Sequence, residues 1–167
     1  SGQSTVFAEM LEQAPELEHL VVSVGGGGLV SGCILARDMA DRRDVRITGV
    51  QPENSAALYH VLRGTAMAEV RHQPTIADGL AGGGDEGAIT NDMVRENNVP
   101  LVLVAERHIR AAVRECLEET GLVMEGSATA SYAAITENYI ADTTSQVGFI
   151  ACGRNIAFDL LRDILAE

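Results

Sequence analysis

Leu20-Val21-Val22-Ser23-Val24-Gly25-Gly26-Gly27-Gly28-Leu29 is the stretch on which the reading of this chain turns. A short apolar run bounded by glycines reads as a strand buried on both faces, the kind found in parallel sheets. The glycines let the backbone turn tightly and approach another group closely. Beyond them Leu29, Cys33, Ala36 and Ala40 share one face of a helix. Strand, glycine turn and helix N-terminus together place several backbone N–H groups around one concave spot, and the helix dipole favours an anion there. The plainer alternative is a glycine turn that only packs the helix against the sheet.

Outward from this unit, strands and helices alternate. Phe7, Met10, Leu11 and Ala14 predict a helix closed by Pro15. Val45–Val50 predicts a strand closed by Gln51-Pro52, and a helix is expected near Ser55–Leu62, ending at Arg63-Gly64. Thr65–Gly87, with Gly82-Gly83-Gly84, shows no periodicity, and a loop of this length is usually functional or mobile. Leu101–Val104 predicts a strand. Ile109, Ala112, Val113, Cys116, Leu117 and Thr120 give a helical stripe capped by Gly121. An alanine-rich helix over about Ser127–Tyr139, a strand over Val147–Ala151 and a helix over Ile156–Leu165 complete the chain. The alternation predicts an α/β fold, a three-layer structure with a mostly parallel sheet flanked by helices. No internal repeat or low-complexity linker interrupts it.

The 167 residues suit one domain with a core of Val, Ile, Leu and Ala, since aromatics make up only 4% and tryptophan is absent. A formal charge of −12 argues against nucleic-acid or anionic-membrane partners, which need clustered cations. The densest basic cluster, Arg42, Arg43 and Arg46, sits at a helix-to-strand turn and reads as solvated. Cys33, Cys116 and Cys152 are odd in number and lack metal spacing, so reduced thiols and a cytoplasmic location are expected. The four histidines show no ligand pattern. All 12 basic residues are arginine and none is lysine. The chain opens at Ser1 rather than methionine, and with the missing lysine this leads us to expect a piece of a longer protein.

The glycine loop fits nucleotide sites poorly. A P-loop needs a Lys-Ser/Thr pair that is absent. Gly26, Gly28 and Gly32 miss the G-x-G-x-x-G spacing, and the second strand ends at Val50-Gln51 where an acidic ribose ligand is expected.

Further segments follow in a telling order: Gly49-Val50-Gln51-Pro52-Glu53-Asn54, then Thr75-Ile76-Ala77-Asp78-Gly79-Leu80-Ala81. Gly2-Gln3-Ser4-Thr5 stands near the start, Val123-Met124-Glu125-Gly126 before the alanine-rich helix, and Cys152-Gly153-Arg154-Asn155-Ile156 near the end. With Val22–Leu29 these resemble the pyridoxal-phosphate-dependent threonine/serine dehydratase and serine racemase family, the fold-type-II enzymes. The resemblance covers essentially the whole chain as the C-terminal part of that family's large domain. The glycine loop with Thr75–Leu80 is similar to the dehydratase branch rather than to cysteine synthases or tryptophan synthase β chains.

By that resemblance Gly25, Gly26, Gly27, Gly28 and the amide of Leu29 bind the cofactor phosphate. Cys152 faces the pyridine nitrogen, where relatives usually have serine or threonine, and Glu125 lines the site. A weak, near-neutral partner leaves the pyridine unprotonated, which suits β-elimination. Read without the family, Cys152 is a small buried hydrophobe and Glu125 a solvated charge at a helix start.

Several departures bear on activity. The family's Schiff-base lysine, its carboxylate-gripping segment and its small domain have no counterpart, so no catalytic residue is expected here. The racemase-like branch needs acidic metal ligands where this chain has Gln51 and Ala57, so no metal is expected. Ser4 and Arg154 replace usual glycines. The resemblance therefore implies part of an L-threonine/L-serine ammonia-lyase, inactive alone and not expected to retain pyridoxal phosphate by itself. A truncated, non-catalytic binding protein and one half of a split enzyme are the alternatives. A homodimer is expected, joined through apolar surface under the helix of Phe7, Met10 and Leu11 or along a sheet edge.

Overall fold

The computed structural model describes residues 2–82, 84–85, 87–141 and 146–167. Ser1, Gly83 and Glu86 therefore lie outside the described residues. The elements run α1 (Ser4–Gln13), β1 (His19–Ser23), α2 (Gly28–Met39), β2 (Arg46–Pro52), α3 (Ala57–Val61), α4 (Ile89–Glu96), β3 (Leu101–Val104), α5 (Glu106–Thr120), α6 (Gly126–Thr136), β4 (Val147–Phe149) and α7 (Phe158–Leu165).

The strands form one sheet in the order β3-β2-β1-β4, and every pairing among the described strands is parallel. All five residues of β1 are buried, as a central strand covered on both faces requires. Alternate side chains divide between two cores. Leu20 and Val22 join Phe7, Leu11, Val30, Ile34 and Val94 from α1, α2 and α4. Val21 and Val50 point the other way, onto Ile109 and Ala112 of α5 and Ala130, Ala133 and Ala134 of α6. Three layers result, as expected.

Small residues bring α6 close to its neighbours. It is buried nearly all round, and an ideal Cβ on Gly126 would stand 2.5 Å from the Ile76 carbonyl oxygen. Gly121 ends α5 with φ +71°, a left-handed cap that glycine adopts without strain. The arginine-rich turn is tied by Arg42 to Asp44 and Arg43 to Asp38, at 3.1 and 3.2 Å. Exposed pairs of this kind add little stability.

The structure corrects several boundaries. Strand β2 runs through Gln51 and Pro52 instead of stopping before them, because Gln51 and Pro52 pair with Leu103 and Val104 of β3. Proline is tolerated where its missing N–H costs no ladder bond. The unpatterned stretch carries two short 3-10 turns, Met67–Glu69 and Asp78–Leu80. Helix α4, which no stripe announced, follows it. Phe7 and Leu11 of α1 are buried in the core and form no exposed surface. The exposed large apolar side chains are instead Val6, Leu35, Met39, Ile89, Leu122, Phe158 and Leu165. No helix among the described residues is long and apolar enough to cross a membrane.

Candidate functional site

The chain starts in β1, builds outward through β2 to β3, then returns to place β4 on the other side of β1. In open parallel sheets, ligands bind outside the carboxyl ends of the strands where the winding reverses. Here that point lies between β1 and β4. The glycine loop leaves the carboxyl end of β1, and the segment with Cys152 leaves the carboxyl end of β4.

Gly27 has φ +83° and is the N-cap residue of α2. An ideal Cβ there would stand 2.9 Å from Thr90 Cβ, so both the conformation and the space demand glycine. On Gly26 and Gly28 an ideal Cβ would meet nothing within 4 Å, which marks the open side of the loop. Among the described residues, the N–H groups of Gly25 through Leu29 donate to no carbonyl or side chain of the chain. Five consecutive amides at a helix start thus remain available as donors.

The other motifs gather beside this loop. An ideal Cβ on Gly25 would lie 3.4 Å from Gly79 O and 3.5 Å from Leu80 Cα, so the Asp78–Leu80 turn packs directly on it. Gly79 N–H is shared by Asp78 Oδ1 at 2.8 Å and Ser127 Oγ at 2.9 Å, which binds the turn to α6. Glu125 is the N-cap residue of α6. Its Oε2 accepts from Asn155 N–H at 2.8 Å, its Oε1 lies against Gly153, and its own N–H donates to Gly153 O at 3.2 Å. Contacts therefore run without a break from Gly25 through Gly79 to Glu125 and Gly153.

Cys152 is exposed as a residue, yet its thiol is held above the usual range, chiefly by desolvation and further by the Glu125 carboxylate. At neutral pH the sulfur is protonated. Arg154 is exposed. Gln51 is fully buried and works as a neutral crosslink: its Nε2 donates to Val24 O at 3.1 Å and its Oε1 accepts from Tyr59 N–H at 2.8 Å. Among the described residues no group of His, Cys, Asp and Glu could hold a metal ion.

Residues 1–153 match the family model described as "Pyridoxal-phosphate dependent enzyme". The chain belongs to that family. It is 33% identical to an L-threonine ammonia-lyase of Thermotoga maritima over 99% of this chain and 40% of that protein. It is 31% identical to a serine racemase of Dictyostelium discoideum over 99% of this chain and 50% of that protein. The structure of maize serine racemase superimposes with a TM-score of 0.83 at 29% identity, covering 99% of this chain and 52% of the maize chain. This chain thus spans about half the length of the relatives it matches.

Pyridoxal phosphate is the family's cofactor, and the loop of this chain fits its phosphate. The fit rests on five amides that donate to no described group, an open side at Gly26 and Gly28, and a helix start behind them. Sequence reasoning missed two contributors. Thr90 comes from α4, whose apolar signal is limited to Met93 and Val94 against the core. Ser127 lies inside the alanine-rich helix, where nothing in the spacing sets it apart from Ser131.

Proposed function

We propose that this chain is the C-terminal, phosphate-holding part of a pyridoxal-phosphate-dependent L-threonine/L-serine ammonia-lyase. The observation that carries the reading is the row of amides from Gly25 to Leu29, which among the described residues donate to no group, at the winding reversal between β1 and β4. The similarity to an L-threonine ammonia-lyase and to serine racemases supports the substrate class.

When bound, the cofactor supplies an electron sink for removal of the α-proton and β-hydroxyl of a hydroxy amino acid. The residues of this chain hold and tune it. The amides of Gly25, Gly26, Gly27, Gly28 and Leu29 bind the phosphate dianion, with the α2 dipole behind them. Cys152 offers the ring nitrogen an uncharged S–H, because desolvation and Glu125 keep its proton on. Glu125 fixes the Cys152–Asn155 segment through Asn155 N–H and lines the same side. Gly79 and Leu80 wall the loop.

The chain has no lysine, and amine exchange with a covalently held cofactor needs one. Residues 1–167 act as one partial large domain whose covalent anchor comes from another segment or chain. A cytoplasmic location and a homodimer complete this reading. The test is keto-acid formation from threonine and serine with added pyridoxal phosphate. The expected result is the free-cofactor background. Turnover well above it, from a preparation holding this chain alone, overturns the assignment of inactivity. Borohydride reduction with peptide mapping is expected to find no cofactor fixed to any side chain.

A further inference from the structure

Two carbonyls of the glycine loop are held from outside it. Val24 O accepts from Gln51 Nε2 at 3.1 Å, and Gly26 O accepts from Thr90 Oγ1 at 2.8 Å. A third, Gly27 O, accepts from Ser31 N–H at 3.0 Å in the first turn of α2. No peptide bond among the described residues is cis. In a trans peptide unit the C=O and the following N–H point in opposite directions. Each held carbonyl therefore turns the next amide away from its holder: Gly25 N–H from Gln51, Gly27 N–H from Thr90, and Gly28 N–H from the body of α2. Among the described residues, none of these three amides donates to a carbonyl or side chain.

We propose that Thr90, with Gln51, is a positioning residue of the anion loop: each grips one loop carbonyl and so fixes the direction of the N–H that follows. The proposal rests on the reading of Gly25–Leu29 as a phosphate site and adds residues that reading lacked. Thr90 lies 64 positions from Gly26 along the chain, so only packing of α4 against α2 brings them together. The approach is possible because Gly27 has no Cβ, which would otherwise stand 3.2 Å from Thr90 Oγ1.

Gln51 is held in one orientation by its own network. Its oxygen faces a donor, Tyr59 N–H, which leaves its NH2 to face an acceptor, Val24 O. A glutamate at position 51 keeps the first contact and loses the second. Donors fixed before a ligand arrives need no reorganisation to bind it, which is how outer residues raise affinity without touching the ligand.

The experiment titrates inorganic phosphate into the wild-type chain and into Thr90→Val, Thr90→Ser and Gln51→Glu, following glycine amide resonances by NMR. Thr90→Val preserves shape and deletes the donor. It is expected to weaken phosphate binding by roughly three- to tenfold and to lower the melting midpoint by no more than the loss of one exposed hydrogen bond costs. Thr90→Ser restores the donor and is expected to bind within about twofold of wild type. Gln51→Glu is expected to weaken binding at least as much; if it fails to fold, the Thr90 pair decides.

Without ligand, Thr90→Val is expected to shift the Gly27 amide resonance and speed its hydrogen exchange, with Thr90→Ser reversing both. Wild-type affinity and an unmoved Gly27 amide in Thr90→Val overturn the proposal. Should the wild-type chain bind no phosphate, the phosphate reading fails, and the ligand-free Gly27 amide still decides positioning: a shift reversed by serine supports it, and no shift overturns it.

Discussion

Glu125 and Asn155 are 30 residues apart in sequence, yet the carboxylate of the first accepts the backbone N–H of the second at 2.8 Å. One side chain thereby ties the start of α6 to the segment after β4. Glu125 N–H returns a bond to Gly153 O, so the two segments hold each other. Cys152, next to Gly153, follows the carboxyl end of β4, and the glycine loop follows that of the neighbouring parallel strand β1.

Removing that carboxylate is expected to loosen the Cys152–Asn155 segment before it affects the rest. Glu125→Ala loses a charge-assisted bond from a half-buried group and is expected to cost about 1–2 kcal/mol, with Glu125→Gln near half of that. Urea denaturation measures the cost. Faster hydrogen exchange at the Asn155 amide, with β1 and β2 amides unchanged, confirms its source.

The glycines of the loop are expected to separate into two kinds. Gly27→Ala meets both a positive φ of +83° and Thr90 Cβ at 2.9 Å, and is expected to destabilise by about 1–3 kcal/mol. Gly26→Ala meets nothing within 4 Å and has no such φ, so it is expected to melt with wild type. Its new methyl lies on the open side of the loop and is expected to weaken phosphate binding. Thermal melts paired with phosphate titration separate the two effects.

Thiol chemistry is expected to single out Cys152. Cys33 and Cys116 are buried and Cys152 is exposed, so a thiol reagent on the folded chain is expected to modify one cysteine and, after unfolding, all three. The rate at Cys152 is expected to be slower at pH 8 than that of a free thiol, because desolvation and then Glu125 raise its pKa. Glu125→Gln removes the second contribution and is expected to speed the reaction.

Alkaline pH is expected to destabilise the fold through Cys33. Burial pushes its thiol from 9.0 up to about 12. The folded chain therefore keeps the proton at pH values where the unfolded chain has released it. That contribution is intact below about pH 9 and is lost as pH rises from there toward 12. Denaturation midpoints at pH 8 and pH 10.5 are expected to fall in wild type, and less steeply in Cys33→Ala.

Much of the molecule was legible along the chain. Leu20–Val24 read as a buried strand and Leu101–Val104 as a strand from their aliphatic runs, and β1 and β3 lie there. Gly121 read as a cap, and the structure gives it φ +71°. The glycine run read as a turn between strand and helix, and it joins β1 to α2. Helix α4 escaped because it is eight residues long, with an exposed Ile89, a polar Asn91 among its buried positions, and Met93 and Val94 as its apolar contacts to the core. The extension of β2 through Gln51-Pro52 escaped because proline usually ends a strand, and only pairing with β3 shows that this one does not.

The sequence by itself determined the layers, the parallel sheet and the loop, since each follows from periodicity, glycine freedom or chain polarity over a few neighbouring residues. Only the tertiary structure decided that Thr90 grips Gly26, that Gln51 grips Val24, and that Glu125 holds Asn155. These contacts join residues 27 to 64 positions apart, and their directions depend on how helices seat against the sheet. A spacing rule covers one turn or one strand; the aim of an amide covers the whole packing.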